Sequence, residues 1–261
     1  MSTPDLEAEY NNRARVPEHP AIIASWAAES AAYREAHPPQ VIAYGEGERH
    51  TLDFFEAGAG PSVMFIHGGY WQALDKSFFS HMARGLNAHG ISVAVPSYDL
   101  CPAVTIGDIV RQARRACLAL HTETAAPVVT IGHSAGGHLA ACLLATEDYV
   151  ARAYAISGLF DLAPLIETSL NAKLQLTAEQ AKAWSPLFWP APAGKSLDAV
   201  VGGEESSEFH RQSAAIAQSW SQGHTDVRVE SLPGANHFTV IAPLADPASP
   251  MVARLIDLAR A

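Results

Sequence analysis

The sequence is short of the features that mark several protein classes. It has three cysteines, Cys101, Cys117 and Cys142, widely spaced and without a Cys-x-x-Cys pair. That argues against a disulfide framework, a zinc site or a dithiol redox motif. They read as reduced thiols packed as small apolar groups. Basic residues are also few: 17 Lys and Arg stand against 27 Asp and Glu, and the formal net charge is −10. Without a basic run, nucleic acid is excluded as a partner, because phosphate binding needs clustered cations. No stretch approaches the roughly 18 apolar residues that a membrane helix needs. The opening residues MSTPDLEAEYNNRARVPEHP lack the apolar centre of a signal peptide. The expectation is a cytoplasmic protein with no membrane association. Repeats and low-complexity tracts are absent too.

What is present is an apolar share of 48% over 261 residues, enough for one sizeable α/β domain spanning the chain. In residues 1–40, Ile22, Ile23, Trp26, Ala27, Ser30 and Tyr33 recur at helical spacing, and Pro38-Pro39 ends the pattern. This predicts an N-terminal arm packed on the main domain, near the entrance to a site. Beyond it, strand-like runs alternate with helical patterns. The runs are Val41–Tyr44, Thr51–Glu56, Ser62–Ile66, Ile91–Val95, Val128–Ile131, Ala153–Ile156, Asp198–Val201 and Val227–Ser231. The helical patterns are Lys76–His89, Ile106–His121, Ala135–Thr146, Glu208–Gln222 and Met251–Ala259. Such alternation predicts a mostly parallel central sheet with helices on both faces. Residues 162–192, rich in Leu, Trp and Phe, interrupt it and predict a small helical lid.

Gly132-His133-Ser134-Ala135-Gly136 fits the Gly-x-Ser-x-Gly nucleophile elbow. A strand pattern feeds it and a helix pattern leaves it, which is the context that the chemistry needs. The serine must occupy a tight, strained turn, with the helix N-terminus offering partial positive charge to a developing oxyanion. The predicted fold is therefore the α/β-hydrolase fold. His67-Gly68-Gly69-Tyr70-Trp71 follows the run Ser62–Ile66 and matches the oxyanion loop of esterases. The backbone N–H groups of Gly69, Tyr70 and Ala135 are the expected donors to the oxyanion. His67 is expected to hydrogen-bond neighbouring backbone rather than to act. Tyr70 and Trp71 are candidates to line the substrate pocket.

Twelve histidines are present, and position selects among them. His237 lies after the last strand run, where the fold places its general base. The acid should follow Asp198–Val201. Glu204 and Glu205 both qualify, and Asp161 is a third candidate whose simpler role is to cap the next helix.

These residues also resemble a known family. His67-Gly-Gly-Tyr-Trp71, Gly132-His-Ser-Ala-Gly136 with His138-Leu-Ala-Ala141, Ser157-Gly-Leu-Phe-Asp-Leu162, Leu174-Gln-Leu-Thr177, Glu208-Phe-His-Arg-Gln-Ser213 and His237-Phe238 are similar to the kynurenine formamidases, or arylformamidases. Leu6-Glu-Ala-Glu-Tyr10 is similar as well. The resemblance implies a triad of Ser134, Glu205 and His237, with glutamate where the family has aspartate. It further implies hydrolysis of N-formyl-kynurenine through a formyl- or acyl-enzyme, without metal or cofactor. Phe160, Trp189 and Phe238 are the expected partners of the aromatic ring, beside Tyr70 and Trp71. The alternative is a short-chain or aryl carboxylesterase on the same scaffold. A binding protein of hydrolase form is the third reading. In the first two the partner is a small formamide or ester. The sequence leaves the assembly open, a homodimer included.

Overall fold

The computed structural model describes residues 4–58 and 60–261. The chain begins with three helices, α1 (Leu6–Tyr10), α2 (Asn12–Arg15) and α3 (His19–Ala36). An eight-stranded sheet follows: β1 (Gln40–Ala43), β2 (Thr51–Phe55), β3 (Ser62–Ile66), β4 (Ser92–Pro96), β5 (Val128–His133), β6 (Arg152–Ile156), β7 (Ser196–Gly202) and β8 (Asp226–Leu232). The strand order is β1-β2-β4-β3-β5-β6-β7-β8. The pairs β1–β2 and β2–β4 are antiparallel, and every later pair is parallel. The remaining helices are α4 (Arg84–Asn87), α5 (Ile106–Thr124), α6 (Ala135–Thr146), α7 (Asn171–Leu174), α8 (Ala178–Ala183), α9 (Ser207–Ser221) and α10 (Pro250–Arg260).

Two apolar clusters cover the sheet. One gathers Ile109, Cys117, Leu139, Leu143, Phe209 and Trp220 from α5, α6 and α9. The other gathers Trp26, Met82, Leu86, Val252 and Leu255 from α3, the 76–87 segment and α10. Helices thus lie on both faces, as the alternating pattern requires. All three cysteines are free and buried. No helix among the described residues is long and apolar enough to cross a membrane.

One expected helix differs. Residues 76–89 form two 3-10 turns, Lys76–Phe78 and Ser80–Ala83, before α4. The break falls at Phe79, with φ −127° and ψ 8°. Breaking there buries the Phe79 ring against Trp26, Phe65 and His67, with centroids 5.4–5.8 Å apart. Tertiary packing overrides the local helical period.

The insertion between β6 and β7 holds two 3-10 turns together with α7 and α8. It forms the helical lid that the interruption at 162–192 predicted. The parallel strands end in close register: Ile66 pairs with Gly132, His133 with Ile156, Ile156 with Val200, and Gly202 with Leu232. The loops after β3, β5, β6, β7 and β8 therefore converge on one edge, where ligands bind in open α/β sheets.

Candidate active site

Ser134 occupies the turn between β5 and α6 with φ 57° and ψ −117°. An L-residue holds such a conformation only where its surroundings fix it. Here the Ser134 N–H donates to the carbonyl of Ile156 on the next strand, at 2.8 Å. The flanking glycines are required by space. A Cβ on Gly132 would overlap the carbonyl of Gly136, and one on Gly136 would overlap that of Ile66. Ala135 is the first residue of α6, so its N–H is one of those a helix start leaves without an intrahelical partner.

The acid loop and the base loop are tied together. Gly203 N–H donates to Leu232 O at 2.8 Å, and Glu204 N–H to Ala235 O at 3.0 Å. The Asn236 side chain accepts from the N–H groups of Phe238 and Thr239, which shapes the turn carrying His237. His237 Nδ1 then donates to Glu205 Oε2 at 2.6 Å. Glu205 Oε1 accepts from the Ser157 hydroxyl and, at 2.8 Å, from Gly202 N–H. Burial pushes the Glu205 carboxyl up, but the facing imidazole, Ser157 and Gly202 outweigh it and hold the group below the ordinary carboxylate range. Glu204 is exposed. Asp161 instead accepts from the N–H of Ala163 and faces Arg211. Of the three acids, only Glu205 meets the histidine.

His237 packs between Phe209 and His133, with ring centroids 4.6 and 4.8 Å away. His133 Nε2 lies 2.9 Å from the carbonyl of His237. A carbonyl can only accept, so Nε2 carries the proton. Burial, and then the neighbouring His237, push His133 down to about 3. His133 is thus a neutral ring.

Gly69, Tyr70 and Trp71 follow β3 in left-handed backbone, with φ 110°, 50° and 55°. This run turns the loop beside Ser134. His67 lies below it, with Nδ1 2.8 Å from Gly68 O, stacked on Tyr98. It touches backbone, as expected.

Gly68, Gly69, Tyr70, His133, Ser134, His237 and Phe238 line one cavity of about 250 Å³. Its outer walls come from the arm, through Tyr10, Asn12 and Trp26, and from the lid, through Thr168, Leu170 and Lys173. Among the described residues, neither the Ser134 hydroxyl nor His237 Nε2 has a hydrogen-bond partner, and both residues line this space. Such contacts often tighten only with substrate bound. A serine, an imidazole and a carboxylate so arranged can pass a proton away from the hydroxyl as it attacks a carbonyl.

Three expected pocket residues lie elsewhere. Trp71 is fully buried in the core against His138, because its left-handed backbone turns the ring inward. Phe160 is fully buried in the same cluster. Trp189 packs on Trp184 and donates to Ala183 O. Tyr70 and Phe238 do line the cavity. Sequence reasoning missed Ser157, Tyr10 and Asn12, which lie up to some two hundred positions from the residues they touch. For Ser157, its place at a strand end before Gly158 was the available signal.

Residues 63–260 match the alpha/beta hydrolase family. The chain belongs to the α/β-hydrolases. It is 31% identical over 224 residues to a kynurenine formamidase from Salmo salar, covering 78% of this chain and 76% of that one. A structure from Silicibacter sp., described as a candidate thioesterase, is 36% identical with a TM-score of 0.86, covering 96% of this chain and 98% of the other. An esterase from Pyrobaculum calidifontis shares the fold with a TM-score of 0.73 at 16% identity, covering 92% and 94%. This α/β-hydrolase is of the serine-hydrolase type.

Proposed function

We propose that this α/β-hydrolase is a carboxylesterase for short acyl groups, with Ser134, Glu205 and His237 as its triad. The observation that carries the reading is the 2.6 Å contact of His237 Nδ1 with the buried Glu205 carboxylate, beside a cavity that Ser134 also lines. His237 Nε2 takes the Ser134 proton as Oγ attacks the acyl carbon, and then delivers it to the leaving oxygen. Glu205 fixes the tautomer and stabilises the imidazolium without taking a proton. The amides of Gly69, Tyr70 and Ala135 receive the oxyanion. Water, activated by the same imidazole, then releases the acid from the acyl-enzyme.

A second reading is hydrolysis of an aryl formamide such as N-formyl-kynurenine. The identity to the salmon kynurenine formamidase supports it, and an unhindered formyl group suits a cavity of about 250 Å³. Parallel kinetics on p-nitrophenyl acetate and N-formyl-kynurenine separate the two. Ester turnover exceeding that of the formamide is the expected result. The reverse order moves the assignment to the formamidase, and no turnover of either refutes both.

A further inference from the structure

The N-terminal arm lies outside residues 63–260, the span shared with the family at large. Yet it supplies part of the wall of the cavity and makes two hydrogen bonds to one side chain of the oxyanion loop. The Tyr70 hydroxyl donates to the carbonyl of Tyr10 at 2.7 Å and accepts from Asn12 Nδ2 at 3.1 Å. Asn12 is 4% exposed and Tyr10 1%, so this is not a surface contact. Tyr10 is itself anchored. Its hydroxyl donates to Glu208 Oε2 at 2.7 Å and accepts from Gln212 Nε2 at 2.9 Å, both on α9. Glu9 adds a contact to the start of α9 through the N–H of Glu208, and Glu7 one to the lid through Ser169.

We propose that Tyr10 and Asn12 are positioning residues for the oxyanion loop, acting through the Tyr70 hydroxyl. This rests on the assignment of the Tyr70 N–H as an oxyanion donor. Tyr70 and Trp71 both hold left-handed backbone, a conformation an ordinary L-residue keeps only where its surroundings fix it. The loop keeps that conformation because something outside it fixes the ring. The hydroxyl, at the far end of the Tyr70 ring, is where the arm takes hold. Burial keeps the phenol protonated, pushing Tyr70 well above its ordinary value. The donor to the Tyr10 carbonyl is therefore always present. In this arrangement the arm is part of the catalytic apparatus, and α9, which follows directly on the Glu205 loop, carries its anchor.

The test uses the full chain, with active enzyme counted by fluorophosphonate titration so that unfolded protein drops out. Tyr70→Phe removes one oxygen and keeps the ring, so it is the variant least prone to misfold. It should lower kcat about 10- to 100-fold with KM within about twofold, since a small displacement of a donor acts on the transition state. Asn12→Ala should do the same to a lesser degree. The double variant should lose no more than about the worse single one, because both remove the same linkage. Wild-type kcat per titrated site in Tyr70→Phe and Asn12→Ala, with only the melting temperature lowered, would overturn the proposal. So would losses that multiply. An inactive wild type would instead strike at the hydrolase assignment itself, a separable outcome.

Discussion

Replacing Glu205 with glutamine gives the sharpest forecast. The change keeps size and shape and removes the charge. In the native site Oε1 accepts from two donors, Ser157 Oγ and Gly202 N–H, and Oε2 accepts from His237 Nδ1. A glutamine carbonyl will stay with the two donors, because turning the amide round would set its N–H₂ against both. The amide nitrogen then faces Nδ1. The imidazole answers by moving its proton to Nε2, where it can no longer accept from Ser134. The loss combines a wrong tautomer with an unstabilised imidazolium. In serine proteases the equivalent change costs about 10⁴ in kcat, or about 5 kcal/mol in the barrier. Glu205 does not line the cavity that holds Ser134, so KM should move little. Glu204→Gln, at an exposed position, should stay within about twofold of wild type, as surface changes do. Steady-state kinetics on p-nitrophenyl acetate with both variants decide the matter. A Glu205→Gln enzyme within about tenfold of wild type, or an equal loss at Glu204, would refute the assignment of the acid.

Ser134→Ala should abolish turnover and fluorophosphonate labelling while leaving the circular dichroism spectrum unchanged; residual labelling would identify another nucleophile. His133→Leu removes the N–H that holds the His237 carbonyl, so kcat should fall about tenfold, the worth of one buried hydrogen bond. His133→Gln, which offers an amide N–H to the same carbonyl, should restore most of it, and equal damage in both variants would count against this role. Gly136→Ala should destabilise the fold by more than about 3 kcal/mol, since the new methyl overlaps the backbone of Ile66 and cannot relax away; a denaturant midpoint close to wild type would contradict the packing. Burial pushes His67, His133 and His138 down to about 4, 3 and 4. Between those values and the ordinary 6.5 the unfolded chain binds protons that the folded chain does not, so stability falls as pH falls. Three such rings remove about 4 kcal/mol per pH unit, and denaturant melts at pH 7.5 and 5.5 that gave equal stability would show the rings to be charged or solvated.

The sequence by itself determined the strands and the elbow. A strand buried on both faces is mostly apolar, so runs such as Ser62–Ile66 and Val128–Ile131 announce themselves locally, and all eight lie within two residues of their expected bounds at either end. The spacing of Gly132, Ser134 and Gly136 is equally local, because the turn they form closes on itself. The place of His237 after the last strand was legible for the same reason: chain order and strand order together fix which loops meet.

What the sequence left open was every question decided by distance across the fold. Glu204 and Glu205 are neighbours with the same chemistry; only the backbone bonds of Gly203 and Glu204 to the next loop turn one carboxylate inward and leave the other in solvent. Trp71, Phe160 and Trp189 are as aromatic as Tyr70 and Phe238, yet backbone dihedrals and helix packing send the first three away from the cavity and the last two into it. The arm's contribution was hidden most completely. The bonds of Tyr10 and Asn12 to Tyr70 and Glu208 span 58 to 198 positions, and no periodicity along a chain encodes a contact of that kind. Secondary structure follows from local patterns; which side chains share a cavity follows only once the packed sheet has brought distant loops to one edge.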